Sequence, residues 1–189
     1  MKIKAVAVYC GAAPGNQPEY QATTVELAHW LVKNKLTLVY GGGGVGLMGL
    51  FAQTVLDDGG EVLGIMPRAL VERGAALKIL HNLQVVQNMS VRKQRMLEAA
   101  DACIALPGGP GTLEEIVEAY SWTRIGANPN PCILYNVNNY YAPLREMISA
   151  MVQNEFLTAA DRAKLCFAQS LPQITDFINN YTPPTVRKY

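Results

Sequence analysis

The chain has 189 residues, half of them hydrophobic and 16% charged, enough to bury a sizeable core within one domain. Its 16 Lys and Arg against 15 Asp and Glu leave a formal charge of +1, which excludes a global basic field drawing it to nucleic acid or an anionic membrane. No run of about 18 apolar residues marks a membrane span, and Met1-Lys2-Ile3-Lys4 leads into a strand-like stretch rather than a signal peptide, so a cytoplasmic location is expected.

Ile3 to Cys10 is a short β-rich apolar run ending at Gly11, and the turn chemistry of Ala12 to Pro18 precedes a helical pattern from Glu19 to Lys33. Leu36 to Tyr40 is a second apolar run, ending in four glycines; Leu47, Leu50, Phe51, Val55 and Leu56 then recur at helical spacing up to Gly59-Gly60. Glu61 to Met66 reads as a third strand stopped by Pro67. The stretch from Arg68 to Asn82 mixes a short helix with loop before a fourth strand, Leu83 to Val86. Ser90 to Ala100 reads as a helix with Ser90 as its N-cap and Met96, Leu97 and Ala100 inward. Ala102 to Leu106 is a fifth strand, and Thr112 to Arg124 an amphipathic helix with Leu113, Ile116, Val117 and Tyr120 inward. Pro131 to Tyr135, the helix Ala142 to Asn154, a strand at Leu165 to Ala168 and a helix at Leu171 to Asn180 complete the series, with a frayed tail from Thr182.

Strands apolar throughout and alternating with helices predict an α/β fold: a Rossmann-like, doubly wound parallel sheet of about seven strands, with helices on both faces, as one domain over residues 1–181. Ligands in such sheets bind beyond the carboxyl ends of the strands, where three glycine-bearing loops fall. Cys10, Cys103, Cys132 and Cys166 form no C-x-x-C pair and are expected to pack as buried free thiols.

The loop from Gly41 to Gly49 follows a strand and opens a helix, so the backbone N–H groups of Gly43 and Gly44 are candidates for an anion at a helix N-terminus. Gly41, Gly43 and Gly46 satisfy G-x-G-x-x-G, but the acidic residue wanted about 20 positions on lands near Glu61, at the start of the third strand rather than its end. A tight turn without ligand accounts for the glycines as well. The second loop, Pro107-Gly108-Gly109-Pro110-Gly111-Thr112-Leu113-Glu114-Glu115, suits a phosphate through Gly108, Gly109, Gly111 and the Thr112 hydroxyl. Helix-dipole complementation suffices for Glu114; Glu115, within a turn of the cradle, is placed for a sugar bearing that phosphate. In Ser90-Val91-Arg92-Lys93-Gln94-Arg95, cations oppose the dipole at a helix start, so Arg92 is a candidate partner for a phosphate or carboxylate, against the bland alternative of a solvated face. Ser121, two turns further along the same helix as Glu115, completes the binding candidates. His29 and His81 lie in no ligand spacing, so neither a metal site nor a Ser-His-Asp triad is supported, and the aromatics, Trp30, Trp122 and Tyr140-Tyr141 among them, read mainly as core.

Gly42 to Gly49, Met89 to Met96 and above all P-G-G-x-G-T-x-x-E from Pro107 to Glu115 resemble the Lonely Guy family, the cytokinin riboside 5'-monophosphate phosphoribohydrolases long mislabelled as lysine decarboxylases. The resemblance runs from Val8-Tyr9-Cys10-Gly11 to about Asn180. It implies a homodimer that cleaves the N-glycosidic bond of a purine nucleoside monophosphate, AMP or an N6-substituted AMP, to free base and ribose 5-phosphate, with no metal or redox cofactor. The family's functional arginine falls on Arg92 with Lys93 beside it, its essential glutamate on Glu115, its phosphate loop on Gly108 to Thr112, and Glu114 would reach ribose or base. The chain departs from the family at Ala12-Ala13, where many members carry serines, at Ser90 in place of a histidine, and at Gly74 in place of a glutamate, with Glu72 nearby. Two other readings remain: a non-catalytic nucleotide or molybdenum-cofactor carrier of the same fold, and a pyridoxal-phosphate lysine decarboxylase, for which no lysine lies in a recognisable Schiff-base context.

Overall fold

A computed structural model describes residues 3–186. Seven parallel strands, β1 (Ala5–Tyr9), β2 (Thr37–Tyr40), β3 (Val62–Pro67), β4 (Leu83–Val86), β5 (Ala102–Ala105), β6 (Cys132–Tyr135) and β7 (Leu165–Ala168), form one sheet in the order β4-β3-β2-β1-β5-β6-β7. The helices are α1 (Pro18–Lys33), α2 (Gly46–Asp57), α3 (Arg68–Glu72), α4 (Met89–Glu98), α5 (Pro110–Arg124), α6 (Ala142–Gln153), α7 (Ala159–Arg162) and α8 (Leu171–Asn180). None of the described helices is long and apolar enough to cross a membrane.

The sheet is buried on both faces because its side chains alternate between two cores. Val6 and Val8 of β1 and Ile104 of β5 pack with Leu27, Leu31, Phe51, Val55 and Ile174 of α1, α2 and α8. Ala7, Tyr9, Cys103 and Ala105 face the other way, onto Met96, Ile116, Tyr120 and Ile148 of α4, α5 and α6. Cys10, Cys103 and Cys132 are buried and Cys166 half-buried, all as free thiols.

The chain winds outward from β1 to β4, then crosses back to β5, which pairs with β1 in register Val8↔Ile104 and Tyr9↔Ala105. The loops after β1 and β5 therefore leave the sheet side by side and diverge, the switch point at which doubly wound sheets open a crevice.

The structure differs from the sequence reading at several points. The cap of α4 is Asn88, whose side-chain oxygen accepts from Val91 N–H at 3.0 Å; Ser90 lies inside the first turn, exposed. Helix α5 starts at Pro110, two residues early, so Glu114 and Glu115 fall in its second turn and Glu114 does not cap it. Its buried stripe is Thr112, Ile116, Ala119, Tyr120 and Thr123; Leu113 and Val117, rotated about 100° from that stripe, are 42% and 39% exposed rather than inward. Helix α7 and the 3-10 turn Val137–Asn139 were not anticipated. Residues 182–186 carry no regular structure, with Pro184 buried and Thr182 accepting from Lys164; residues 187–189 of the expected frayed tail lie outside the described residues.

Candidate active site

The loops after β1, β2 and β5 and the amino-terminal half of α4 all lie at the carboxyl edge of the sheet. The β5 loop is held against the β1 loop by Gly11 N–H donating to Pro107 O at 3.1 Å. Their backbones approach so closely that a Cβ on Gly108 would lie 2.8 Å from Gly11 N and 2.2 Å from Thr112 Oγ1, so only glycine fits there. At Gly109 and Gly111, by contrast, a Cβ would meet nothing within 4 Å: these residues face open space. Among the described residues nothing accepts from the backbone N–H of Gly109, Gly111 or Thr112, the donors that the start of α5 leaves unpaired. Three donors at the positive end of a 15-residue helix are an arrangement that can hold an anion.

Arg92, fourth residue of α4, is buried, and its guanidinium runs across Gly41: a Cβ there would sit 1.7 Å from Nη2. Nη2 lies 3.4 Å from Glu115 Oε1, Nη1 approaches Met89 Sδ at 3.6 Å, and Nε is buried without a partner among the described residues. The Glu115 side chain is only 11% exposed. Burial raises its pKa above the ordinary glutamate range; Arg92 pulls it back in part and Glu114 pushes it up again. The Glu115 charge also adds to the burial that raises Tyr9 and Cys10 at the end of β1.

Lys93 and Glu114 meet each other. Lys93 Nζ lies 2.8 Å from Glu114 and 2.8 Å from Glu118, tying α4 to α5, and these bonds raise its pKa. Gly43 and Gly44 bridge to the segment around Ala76, and Gly44 N–H is engaged by Ala75 O at 3.0 Å. Ser121, about 15 Å along α5 from Gly111 by helical rise, is exposed in a groove with Leu113, Val117, Trp122 and Leu144, away from the crevice. Gly74 adopts φ +73° just past α3, its N–H closing that helix onto Val71 O; a backbone reason for glycine therefore exists where the family pattern has a glutamate. Glu61, at the amino end of β3, bonds Thr37 at the amino end of β2, the wrong edge for a ribose contact.

Sequence reasoning missed two residues of this region. Gly41 shapes the bed for Arg92. Tyr140, read as core, is 41% exposed and, with the buried Tyr20, walls a cavity of about 470 Å³ beside Ala12, Ala13, Leu47 and Pro107. The available signal was position: Tyr140 follows the turn at the carboxyl end of β6, the same edge as the crevice. A larger hollow, about 640 Å³, lies by Arg124, Phe156 and Asp161 near the amino end of β7, remote from the Arg92–Glu115 pair.

A family model described as "Possible lysine decarboxylase" matches residues 48–178. Cytokinin riboside 5'-monophosphate phosphoribohydrolase LOG2 of Arabidopsis thaliana is 38% identical over 182 residues, 96% of this chain and 85% of its own, and LOG1 of the same plant is 37% identical over the same shares. The probable enzyme LOG4 of Oryza sativa subsp. japonica is 42% identical over 160 residues, covering 85% of this chain and 70% of its own. Among solved structures, the molybdenum cofactor binding protein of Rippkaea orientalis superposes with TM-score 0.67 at 18% identity, covering 95% of this chain and 97% of that one. The molybdenum cofactor carrier protein of Chlamydomonas reinhardtii does so with TM-score 0.69 at 14%, covering 94% and 97%. Identities this low establish a shared fold and nothing more.

Proposed function

The chain belongs to the family of the cytokinin riboside 5'-monophosphate phosphoribohydrolases, and from that membership we propose that it hydrolyses the N-glycosidic bond of a purine riboside 5'-monophosphate carrying an N6-substituted adenine, with AMP as a second substrate. The observation that carries this reading is the juxtaposition of the unpaired N–H groups of Gly109, Gly111 and Thr112 with the buried Arg92–Glu115 pair one turn further on.

The 5'-phosphate binds the free N–H groups at the start of α5, fixing the ribose over Glu115. Loss of the base builds positive oxocarbenium character at C1′, which the Glu115 carboxylate stabilises. Water adds at C1′ as the C–N bond breaks; the C1′–O bond forms, the C–N electron pair leaves with the base, and the water proton passes by way of Glu115 to the base nitrogen, so that the base departs neutral. A carboxylate with a raised pKa is a better acceptor for that proton. A guanidinium does not readily give up a proton, so Arg92 stabilises charge and positions the substrate. Phosphate binding away from the scissile bond supplies orientation used in the transition state. Lys93 and Glu114 border the site, and Gly43 and Gly44 hold the segment opposite it.

Lysine decarboxylation through a Schiff base has little support: Lys93, the lysine nearest Glu115, is held protonated by two carboxylates. The carrier reading leaves the buried Arg92–Glu115 pair without a use.

The active form we propose is a homodimer. Leu113 and Val117 of α5 and Met147 of α6 are exposed, and Leu144 joins the first two in one apolar groove. Four free thiols, three of them buried, are in keeping with a cytoplasmic setting. The test is product analysis: incubated with N6-isopentenyl-AMP and with AMP, the protein releases free base and ribose 5-phosphate in equal amounts. Tight nucleotide binding with no base released from any purine monophosphate would replace this reading with that of a carrier.

A further inference from the structure

One donor of the glycine loop, Gly109 N–H, is oriented by the bond its peptide partner Gly108 O accepts. Leu106 O accepts from Tyr141 OH at 2.7 Å, Pro107 O from Gly11 N–H at 3.1 Å, and Gly108 O from Tyr140 OH at 2.6 Å. Three successive carbonyls are thus each held by a bond, the first by a buried tyrosine and the third by an exposed one. In a trans peptide the C=O and the following N–H point in opposite directions, so the bond that turns Gly108 O toward Tyr140 turns Gly109 N–H away from it, to the open side of the loop.

The two tyrosines differ in kind. Tyr141 is buried, its backbone N–H fixed by Asn136 Oδ1 at 2.7 Å, and it serves the core. Tyr140 is 41% exposed, edge-on to Tyr20 at 5.9 Å and to Tyr141 at 5.0 Å, with its ring walling the cavity and its hydroxyl bonded to the glycine loop itself. A half-exposed aromatic needs no such bond for packing, and the loop would keep two of its three anchors without it.

The geometry points to Tyr140 as a positioning residue for phosphate: its hydroxyl sets the Gly108–Gly109 peptide so that Gly109 N–H meets the 5'-phosphate of the substrate. The inference rests on the proposed function for the identity of the ligand, but binding tests it independently of hydrolysis. Tyr140→Phe removes the hydroxyl and keeps the ring.

Calorimetric titration of the full chain with ribose 5-phosphate and with inorganic phosphate is expected to show affinity weakened about three- to tenfold in Tyr140→Phe, the cost of one hydrogen bond. KM for the nucleoside monophosphate should rise by the same factor, with kcat within about twofold and the melting temperature unchanged. Inhibition by the free purine base, which has no phosphate, should be unaltered. Equal phosphate affinity in the two proteins overturns the inference, as does a variant losing kcat alone. Wild-type protein that binds ribose 5-phosphate through Tyr140 yet releases no base defeats the proposed reaction and leaves this inference standing; wild-type protein that binds neither phosphate compound defeats both.

Discussion

Arg92 Nη2 stands 3.4 Å from Glu115 Oε1, longer than the 2.7–2.9 Å usual for a charge-assisted bond, and both side chains are about nine-tenths buried. A pair built for stability would close that gap and satisfy Arg92 Nε, which has no partner among the described residues. We read the gap and the orphaned donor as places for a ligand's atoms; that reading, the proposed phosphate site and the proposed dimer can each be tested by measurement.

Gly41→Ala inserts a methyl where Arg92 Nη2 now lies, so the guanidinium must leave its bed. The variant should fold, since the guanidinium is the end of a flexible side chain, and should lose about 10²- to 10³-fold in kcat/KM, the scale for removing one preorganised donor. Kinetics beside a thermal melt check this; unchanged kcat/KM would show that the position of Arg92 does not matter.

Gly111→Ala has the opposite profile. Its Cβ would meet no protein atom, and it lies in the first turn of α5, so stability should hold or rise by up to about 1 kcal/mol. The methyl should nonetheless intrude on bound phosphate and raise KM for the monophosphate several-fold. A variant more stable yet equally active would locate the phosphate elsewhere.

The raised pKa of Glu115 gives stability and activity opposite pH dependences. Between its unfolded and folded pKa the folded state holds more protons, so this group's contribution to stability falls as pH rises through that window. Glu115→Gln, which cannot ionise, should match wild type below the window and be the more stable above it, as melts from about pH 4 to pH 8 would reveal. Activity needs the carboxylate and should fail as pH drops through the raised pKa, its acid limb lying above the ordinary glutamate value. Parallel melts, or a limb at the ordinary value, would contradict the burial of this charge.

Val117→Glu puts a carboxylate on the apolar face of α5, where Val117 is 39% exposed beside Leu113 and Leu144. Sedimentation should show a dimer for wild type and monomer for the variant at the same concentration, with little change in monomer fold. A variant that stays dimeric would move the interface elsewhere.

Periodicity carried most of the architecture: β4, β7 and α8 fall on the residues their apolar runs marked. It failed where chemistry at an end decides the outcome. Asn88 offers a better-placed acceptor than Ser90, so α4 starts earlier, and Pro110, pre-set for a first helical turn, starts α5 two residues early and rotates Leu113 and Val117 outward. In the site, Arg92, Glu115 and the glycines after Pro107 were legible because they lie in short motifs. Tyr140 was not: its contact with Gly108 spans 32 residues of chain, and a side-chain hydroxyl reaching a distant carbonyl leaves no periodic trace. Gly41 looked like part of a phosphate loop, and its reason, the guanidinium packed against it, comes from another helix.

The claim that Glu115 carries the reaction is tested most directly by single-turnover release of free base from N6-isopentenyl-AMP by Glu115→Gln, with nucleotide binding measured on the same sample. The account predicts a rate lower by about 10²- to 10⁴-fold with binding retained and stability at neutral pH undiminished. A variant that releases base at the wild-type rate would contradict it.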